Sequence, residues 1–150
     1  MRALALDDTT FKLSQASTNA GAPSRARIWT GRVLSGLAAL FLAWDGVMKL
    51  VQPPVVVEAN RALGFSLHAL FVVGALVLAF VALYVLPRTA VLGAVLLTAF
   101  LGGAVATNVR MGMPLFTHVL FPVYVAALMW GGLYLRDGRV RRVLLPPARR

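Results

Sequence analysis

Four apolar runs follow one another along this chain, and they constrain its fold more than any other feature. They cover about Val33–Val51, Leu67–Leu86, Ala90–Thr107 and Leu115–Leu135. Each is near the roughly 20 residues that carry an α-helix across a hydrocarbon core about 30 Å thick. Prolines stand at the breaks: Pro53-Pro54 after the first run, Pro87 after the second, Pro114 before the fourth. Proline cannot continue a helix and disfavours helical geometry in the residue before it. A buried helix in a water-soluble core could account for one such run. Four in 150 residues leave too little polar surface to cover them. Composition agrees: 59% of residues are hydrophobic and 13% charged, about half the charge of a soluble domain.

The fold class that follows is all-α: a four-helix antiparallel transmembrane bundle, up-down-up-down, with lipid as a partner. Short connections around Arg88 and Asn108–Pro114 make neighbouring spans antiparallel. Residues 1–28 are polar and small and are read as a disordered N-terminal tail, 29–145 as the membrane domain, and 146–150 as a basic C-terminal tail. The apolar stretch after Arg2 is cut short by Asp7 and Asp8 and is too brief for the h-region of a signal peptide.

Arginine and lysine set the orientation. Five basic residues precede the first span and six follow the fourth, and Arg88 sits between the second and third. The other two loops hold only Arg61 and Arg110, with Lys49 close by. The positive-inside rule puts both termini and Arg88 in the cytoplasm and turns loops Gln52–Ser66 and Asn108–Pro114 outward. The net charge of +10 is thus an orientation signal. It lies in tails that flank apolar spans rather than on a basic face with interleaved aromatics, so nucleic acid is not a partner. Trp29, Trp130 and Tyr134 fall where a cytoplasmic aromatic belt belongs. The bias of arginine over lysine suggests a GC-rich bacterial source, hence the inner (plasma) membrane.

Polar residues gather at one depth. Asp45 and Lys49 lie in the last turns of span one, Glu58 and Arg61 in the first outer loop, and His68 at the start of span two. Thr107, Asn108 and Arg110 close span three; Thr117 and His118 open span four. The cytoplasmic half shows no comparable cluster. A charged side chain is expensive in a bilayer, so such residues are where function is sought. Asp45 and Lys49, four apart, share a helix face in the favourable acid-first order; an ion pair that fixes helix depth is the plain alternative to a binding role. Pro122 removes the donor for the carbonyl of His118, so the helix is expected to bend there. Asp45, Lys49, Asn108, Arg110 and His118 are the candidate outer binding pocket.

Small residues at four-residue spacing (Gly31 and Ser35, Ala99 and Gly103, Gly102 and Ala106, Ala127 and Gly131) are read as close helix contacts; for Gly102-Gly103, a loosened helix beside a cavity stays open. Two histidines on separate helices could ligate a haem axially, but both lie beside loops and haem is not expected. His68, His118, Asp45 and Glu58 have no metal-site spacing. There is no cysteine, which removes thiolate and iron–sulfur chemistry. No G-x-S-x-G, Walker, GxGxxG or H-E-x-x-H motif is present.

The runs D-G-V-M-K-L (Asp45–Leu50), L-P-R-T-A-V-L-G-A-V-L-L-T (Leu86–Thr98), G-G-A-V-A-T-N-V-R (Gly102–Arg110), H-V-L-F-P-V (His118–Val123) and W-G-G-L-Y-L-R-D (Trp130–Asp137) resemble the DoxX-like family of small bacterial membrane proteins. The resemblance spans Arg32–Leu145 and implies four transmembrane helices. It further implies a role beside quinol-linked oxidase and thiosulfate:quinone oxidoreductase systems. Asn108 departs from the family pattern, where a histidine often precedes x-Arg. The expected function is a non-catalytic subunit or scaffold of a quinone-linked redox assembly, with a membrane or soluble redox protein, or a second copy of the chain, as partner. A small-molecule binder or transporter using the outer cluster, and a cofactor-dependent oxidoreductase, are the alternatives.

Overall fold

The computed structural model describes residues 24–144. Residues 1–23 of the proposed N-terminal tail 1–28, and the proposed C-terminal tail 146–150, lie outside the described residues. Helix α1 runs Arg25–Val51, α2 Pro54–Ala62, α3 Leu67–Val85, α4 Ala90–Arg110, α5 Phe121–Arg136 and α6 Gly138–Leu144, with one π-helical turn, Leu115–Val119, leading into α5. No strand occurs among the described residues. Four helices are long and apolar enough to cross a membrane: α1, α3, α4, and α5 with its π turn. The sequence expects these spans. It does not expect α2, inside the first connection, or α6, after the fourth span. Helix α1 also starts at Arg25 and so takes in the last residues assigned to the tail. Its 27 residues measure about 40 Å, longer than the hydrocarbon layer, so α1 tilts or projects beyond it.

Local chemistry sets the boundaries. Ser24 caps α1 by accepting the Arg27 N–H at 3.3 Å, and Ser66 caps α3 by accepting from Ala69 at 3.1 Å, each satisfying a donor the first turn leaves open. Helix α1 stops before Pro53. Gln52 swings into left-handed geometry at φ 54°, and its amide Nε2 donates to the Leu67 carbonyl at 2.8 Å. One side chain thereby ends α1 and ties it to the first residue of α3. Between α3 and α4, the Thr89 hydroxyl donates to the Leu83 carbonyl at 2.8 Å and tightens the Pro87 turn.

The spans form a ring. Helix α1 packs on α5 and α3, and α4 closes the ring between α3 and α5. Ala38, Leu42, Val77, Tyr84, Ala94, Leu97, Met129 and Leu133 fill the interior. Large outward side chains such as Leu40, Trp44, Val51 and Phe116 stay exposed, as lipid-facing positions should. Both termini of the ring and the α3–α4 turn share one end, the termini end. The α1–α3 and α4–α5 connections share the other, the loop end.

At the termini end, glycine brings backbones together. A Cβ on Gly132 would lie 2.6 Å from the Ser35 nitrogen and one on Gly31 2.9 Å from the Gly132 carbonyl, so α1 and α5 cross almost in backbone contact. Gly93 is tighter, its Cβ site 2.3 Å from the Tyr84 nitrogen across the α3–α4 turn. Gly46 and Gly74 make a similar approach between α1 and α3. The other spaced pairs do not. Nothing lies within 4 Å of a Cβ on Gly102, Gly103 or Gly131, and Ala99, Ala106 and Ala127 are exposed. Of the four small-residue pairs, only Gly31 and Ser35 form a helix contact, because spacing defines a face without saying which way it points.

The termini end also holds a polar network where the sequence shows none. Tyr84 is fully buried, its hydroxyl bonded to the Met129 carbonyl at 2.9 Å and to Ser35 Oγ at 3.0 Å. The Arg136 guanidinium lies over the Tyr84 ring, 5.1 Å from its centre, and donates to the Tyr84 carbonyl at 3.2 Å. This joins α1, α3 and α5. Trp130, read from sequence as part of an aromatic belt, turns partly inward: its indole N–H donates to the Thr98 hydroxyl of α4 at 2.8 Å.

Candidate functional site

At the loop end the ring splays around a cavity of about 470 Å³. Its inner wall is apolar: Phe41 and Leu42 from α1, Leu70 and Val73 from α3, Phe100 and Leu101 from α4, Phe121 and Pro122 from α5. Asn60, Leu63 and Phe65 of the first connection cover it, so α2 supplies part of the roof. Toward the mouth come Asp45, Lys49, Thr107, Asn108, Thr117 and His118. The site is therefore graded, aromatic and aliphatic toward the bundle centre and polar toward the loops.

Phe41, Asp45 and Lys49 stand at successive i, i+4 positions and so form one column on the inner face of α1. Lys49 Nζ donates to Asp45 Oδ1 in a half-buried ion pair. Such a pair offsets the cost of each charge near the membrane interior. Neither group has another hydrogen-bond partner among the described residues, so the ammonium keeps donors and the carboxylate keeps acceptor sites for a guest.

Across the cavity, Pro122 shapes the other wall. It has no N–H to give the His118 carbonyl, and the chain answers with wider turns: Val119 bonds back to Pro114 at 3.3 Å and Leu120 to Leu115 at 2.9 Å. These are the i to i+5 bonds of a π-helix, a form that recurs at functional sites. The freed His118 carbonyl accepts instead from Asn108 Nδ2 of α4 at 2.9 Å. Asn108 thus splints α4 to the bent start of α5, a role that its position in the sequence does not reveal. The His118 ring is hydrogen-bonded through Nδ1 to the Thr117 hydroxyl at 2.8 Å, which leaves Nε2 for another partner.

Of the five pocket residues read from sequence, Asp45, Lys49, Asn108 and His118 line this one cavity and Arg110 does not. Arg110 is exposed and donates to the Leu63 carbonyl at 3.5 Å, bracing the first connection from outside. Glu58, Arg61 and His68 are exposed and also outside the lining. The cavity lining holds a single histidine, His118, and His68 lies outside it, so the two do not face each other across this cavity. Among the described residues no group of three or more His, Cys, Asp or Glu could hold a metal ion. The sequence omits Asn60, Phe65 and the aromatic floor of Phe41, Phe100 and Phe121; an exposed and a cavity-facing phenylalanine look the same in a span that is apolar throughout.

Neither the curated proteins nor the solved structures give a match. The family model described as the DoxX-like family matches residues 33–132, a stretch that takes in most of all four spans and every residue of the cavity. This multi-pass membrane chain belongs to the DoxX-like family.

Proposed function

We propose that the protein is a non-catalytic membrane subunit that holds a quinone-type ring within a redox assembly, with both termini in the cytoplasm and the cavity mouth on the outer face of a bacterial inner membrane. The shape and polarity of the loop-end cavity carry this reading. Its volume falls within the range of small-molecule pockets, which are mostly apolar with a few placed polar groups. Phe41, Phe100 and Phe121 suit a flat apolar ring. Lys49 offers donors to carbonyl oxygens at the mouth, as does His118 Nε2 in the tautomer whose Nδ1 accepts from the Thr117 hydroxyl. A ring with acceptors at its rim and an apolar tail matches that gradient, and the family resemblance points to the same chemistry. No side chain in the cavity transfers electrons itself, so redox chemistry here belongs to a bound group or a partner.

The test is retention. Wild-type protein, extracted from its membrane in native lipid particles, should carry quinone above the level of bulk lipid, measured by extraction and mass spectrometry. Gly103 lines the cavity and a Cβ there meets nothing within 4 Å, so Gly103→Leu should fill the space without disturbing the fold and bring quinone down to the lipid baseline. Equal quinone in both proteins would refute the reading. A haem or flavin absorption band in the purified wild type would favour an oxidoreductase instead.

A further inference from the structure

The loop-end cavity has one side that nothing ties shut. Each other seam of the ring carries a contact at that end. Gly46 and Gly74 bring α1 against α3, and Gln52 donates to the Leu67 carbonyl. Phe41 and Phe121 meet edge to face between α1 and α5. Asn108 of α4 donates to the His118 carbonyl in the π turn that leads into α5. Between α3 and α4 the close contacts are Gly93 against Tyr84 and Thr89 against the Leu83 carbonyl, both beside the α3–α4 turn and so at the termini end. Toward the loops, no side-chain hydrogen bond or close glycine contact joins α3 to α4 among the described residues. Arg110 reaches the Leu63 carbonyl, which belongs to the first connection and not to α3.

Gly103 stands at this seam. Gly103, Ala104, Thr107 and Asn108 line the cavity from α4. Asn108 is turned toward α5, and Gly103, five residues earlier, lies about 140° round the helix from it. That puts Gly103 at the flank of the lining that faces α3. It borders the cavity, is exposed, and a Cβ on it meets nothing within 4 Å. The cavity therefore reaches the outer surface of the bundle there. Val73, half-buried, lines the cavity from α3. It is turned about 100° from Gly74, the residue that packs on α1, and so supplies the other edge of the seam. Gly103 comes seven residues before Arg110, about 10 Å deeper along the axis, so this opening is in the hydrocarbon layer and not among the headgroups.

We infer that the ligand of the cavity carries a long polyprenyl tail, and that this tail lies in the α3–α4 seam between Val73 and Gly103 and runs out into lipid. The inference rests on the quinone reading and narrows it to membrane-dissolved, long-tailed quinones as against water-soluble rings. A cavity of about 470 Å³ takes a drug-sized group, so a ring fits and most of a long tail must leave. Leaving by the polar mouth would put an apolar chain in water, against the hydrophobic effect. Leaving by the seam keeps it in lipid and keeps Lys49 and His118 at the mouth free for the ring. The same seam is then the way in.

The test is photolabelling of the full chain in lipid nanodiscs. The probe is a ubiquinone whose polyprenyl tail carries a photoreactive diazirine just beyond the ring. Labelled residues are mapped by mass spectrometry, with and without an excess of the same ring bearing a single isoprene unit. A tail loose in the bilayer labels lipid-facing positions on every span whether or not the competitor is present, so only labels that the competitor removes report the site. Those labels should fall on α3 and α4 near Val73 and Gly103 and should lose most of their intensity. Competable labels on α1 and α5 instead, about Phe41 and Phe121, would overturn the seam and leave the quinone reading standing. Competable labels confined to the roof, from Asn60 to Phe65, would put the tail in the mouth and overturn the seam likewise. Absence of any competable label would overturn the seam and the quinone reading together.

Discussion

Gly131 and Gly132 are neighbours on α5 with opposite surroundings, and replacing each by alanine tests the helix crossing directly. A Cβ on Gly131 meets nothing within 4 Å. One on Gly132 would lie 2.5 Å from Ser35 Oγ, 2.6 Å from the Ser35 nitrogen and 2.9 Å from the Gly31 carbonyl. Two of those three atoms are α1 backbone and cannot rotate away. Ordinary contact begins at 3.4 Å, so α1 and α5 must part by about 0.8 Å. That opens the layer of Ala38, Leu42, Met129 and Leu133 and stretches the bond between Ser35 and Tyr84. Both substitutions gain the same helix propensity, about 0.5–1 kcal/mol, so it cancels between them. What remains is overpacking, about 1–3 kcal/mol. Gly131→Ala should be neutral or slightly stabilised, and Gly132→Ala less stable than it by that margin. Reversible unfolding in lipid bicelles or mixed micelles would measure the gap. Equal stability of the two variants, or a less stable Gly131→Ala, would refute the backbone crossing.

Three further outcomes follow. Asn108→Ala should cost about 1 kcal/mol in the native background and clearly less in a Pro122→Ala background, where residue 122 regains an N–H for the His118 carbonyl; a double-mutant cycle in unfolding reads the coupling, and strict additivity would remove the splint. Lys49→Met strands the Asp45 carboxylate and should destabilise by about 1–3 kcal/mol, bounded by the cost of a lone charge in a span, whereas Lys49→Met with Asp45→Asn should recover much of that loss. The chain has no cysteine, so single-cysteine variants report topology cleanly: Ala62→Cys should react with an impermeant maleimide on intact cells and Arg88→Cys only after permeabilisation, and the reverse pattern would invert the proposed orientation.

The spans are legible in the sequence because a bilayer leaves a coarse imprint: a length near 20 residues, punctuated by Pro53, Pro87 and Pro114. Rotation about each helix axis is not. Hydropathy is close to uniform around α3, α4 and α5, so no apolar stripe says which side faces the bundle. For this reason Gly102 and Gly131 look like packing residues and are not, whereas Gly46, Gly74 and Gly93 do the packing without any regular spacing to mark them. Nothing in the sequence marks out Tyr84, whose buried hydroxyl bonds to Ser35 and to the Met129 carbonyl. At the site, charge was the readable signal. Asp45, Lys49 and His118 stand out because a polar group in a span is rare. The aromatic floor does not stand out. Helix α2, nine residues long, is too short to leave a period, and with it went the roof of the cavity.

The contrast between the two ends suggests why a cavity forms where it does. Four helices in lipid gain nothing by hiding apolar surface from one another, since the tails solvate it as well. Their association depends on close backbone approach and on hydrogen bonds. Both are supplied at the termini end by Gly31, Gly93, Gly132 and the Ser35–Tyr84–Arg136 network, and between α1 and α3 by Gly46 and Gly74. At the loop end no close glycine contact joins α4 to α1 or α5 among the described residues, and the Asn108–His118 hydrogen bond is what ties α4 to the bent start of α5. There the facing residues are Phe41, Phe100 and Phe121, with Phe41 and Phe121 meeting edge to face at 5.2 Å, and Pro122 with the π turn widens the start of α5. Bulky rings and a broken helix hold the walls apart, while Asn108 keeps the widened wall from drifting further. The opening is thus carried by particular side chains on a scaffold clamped at its far end. Substitutions that loosen the clamp should lower stability and leave the cavity's chemistry intact, and those that fill the opening should do the opposite.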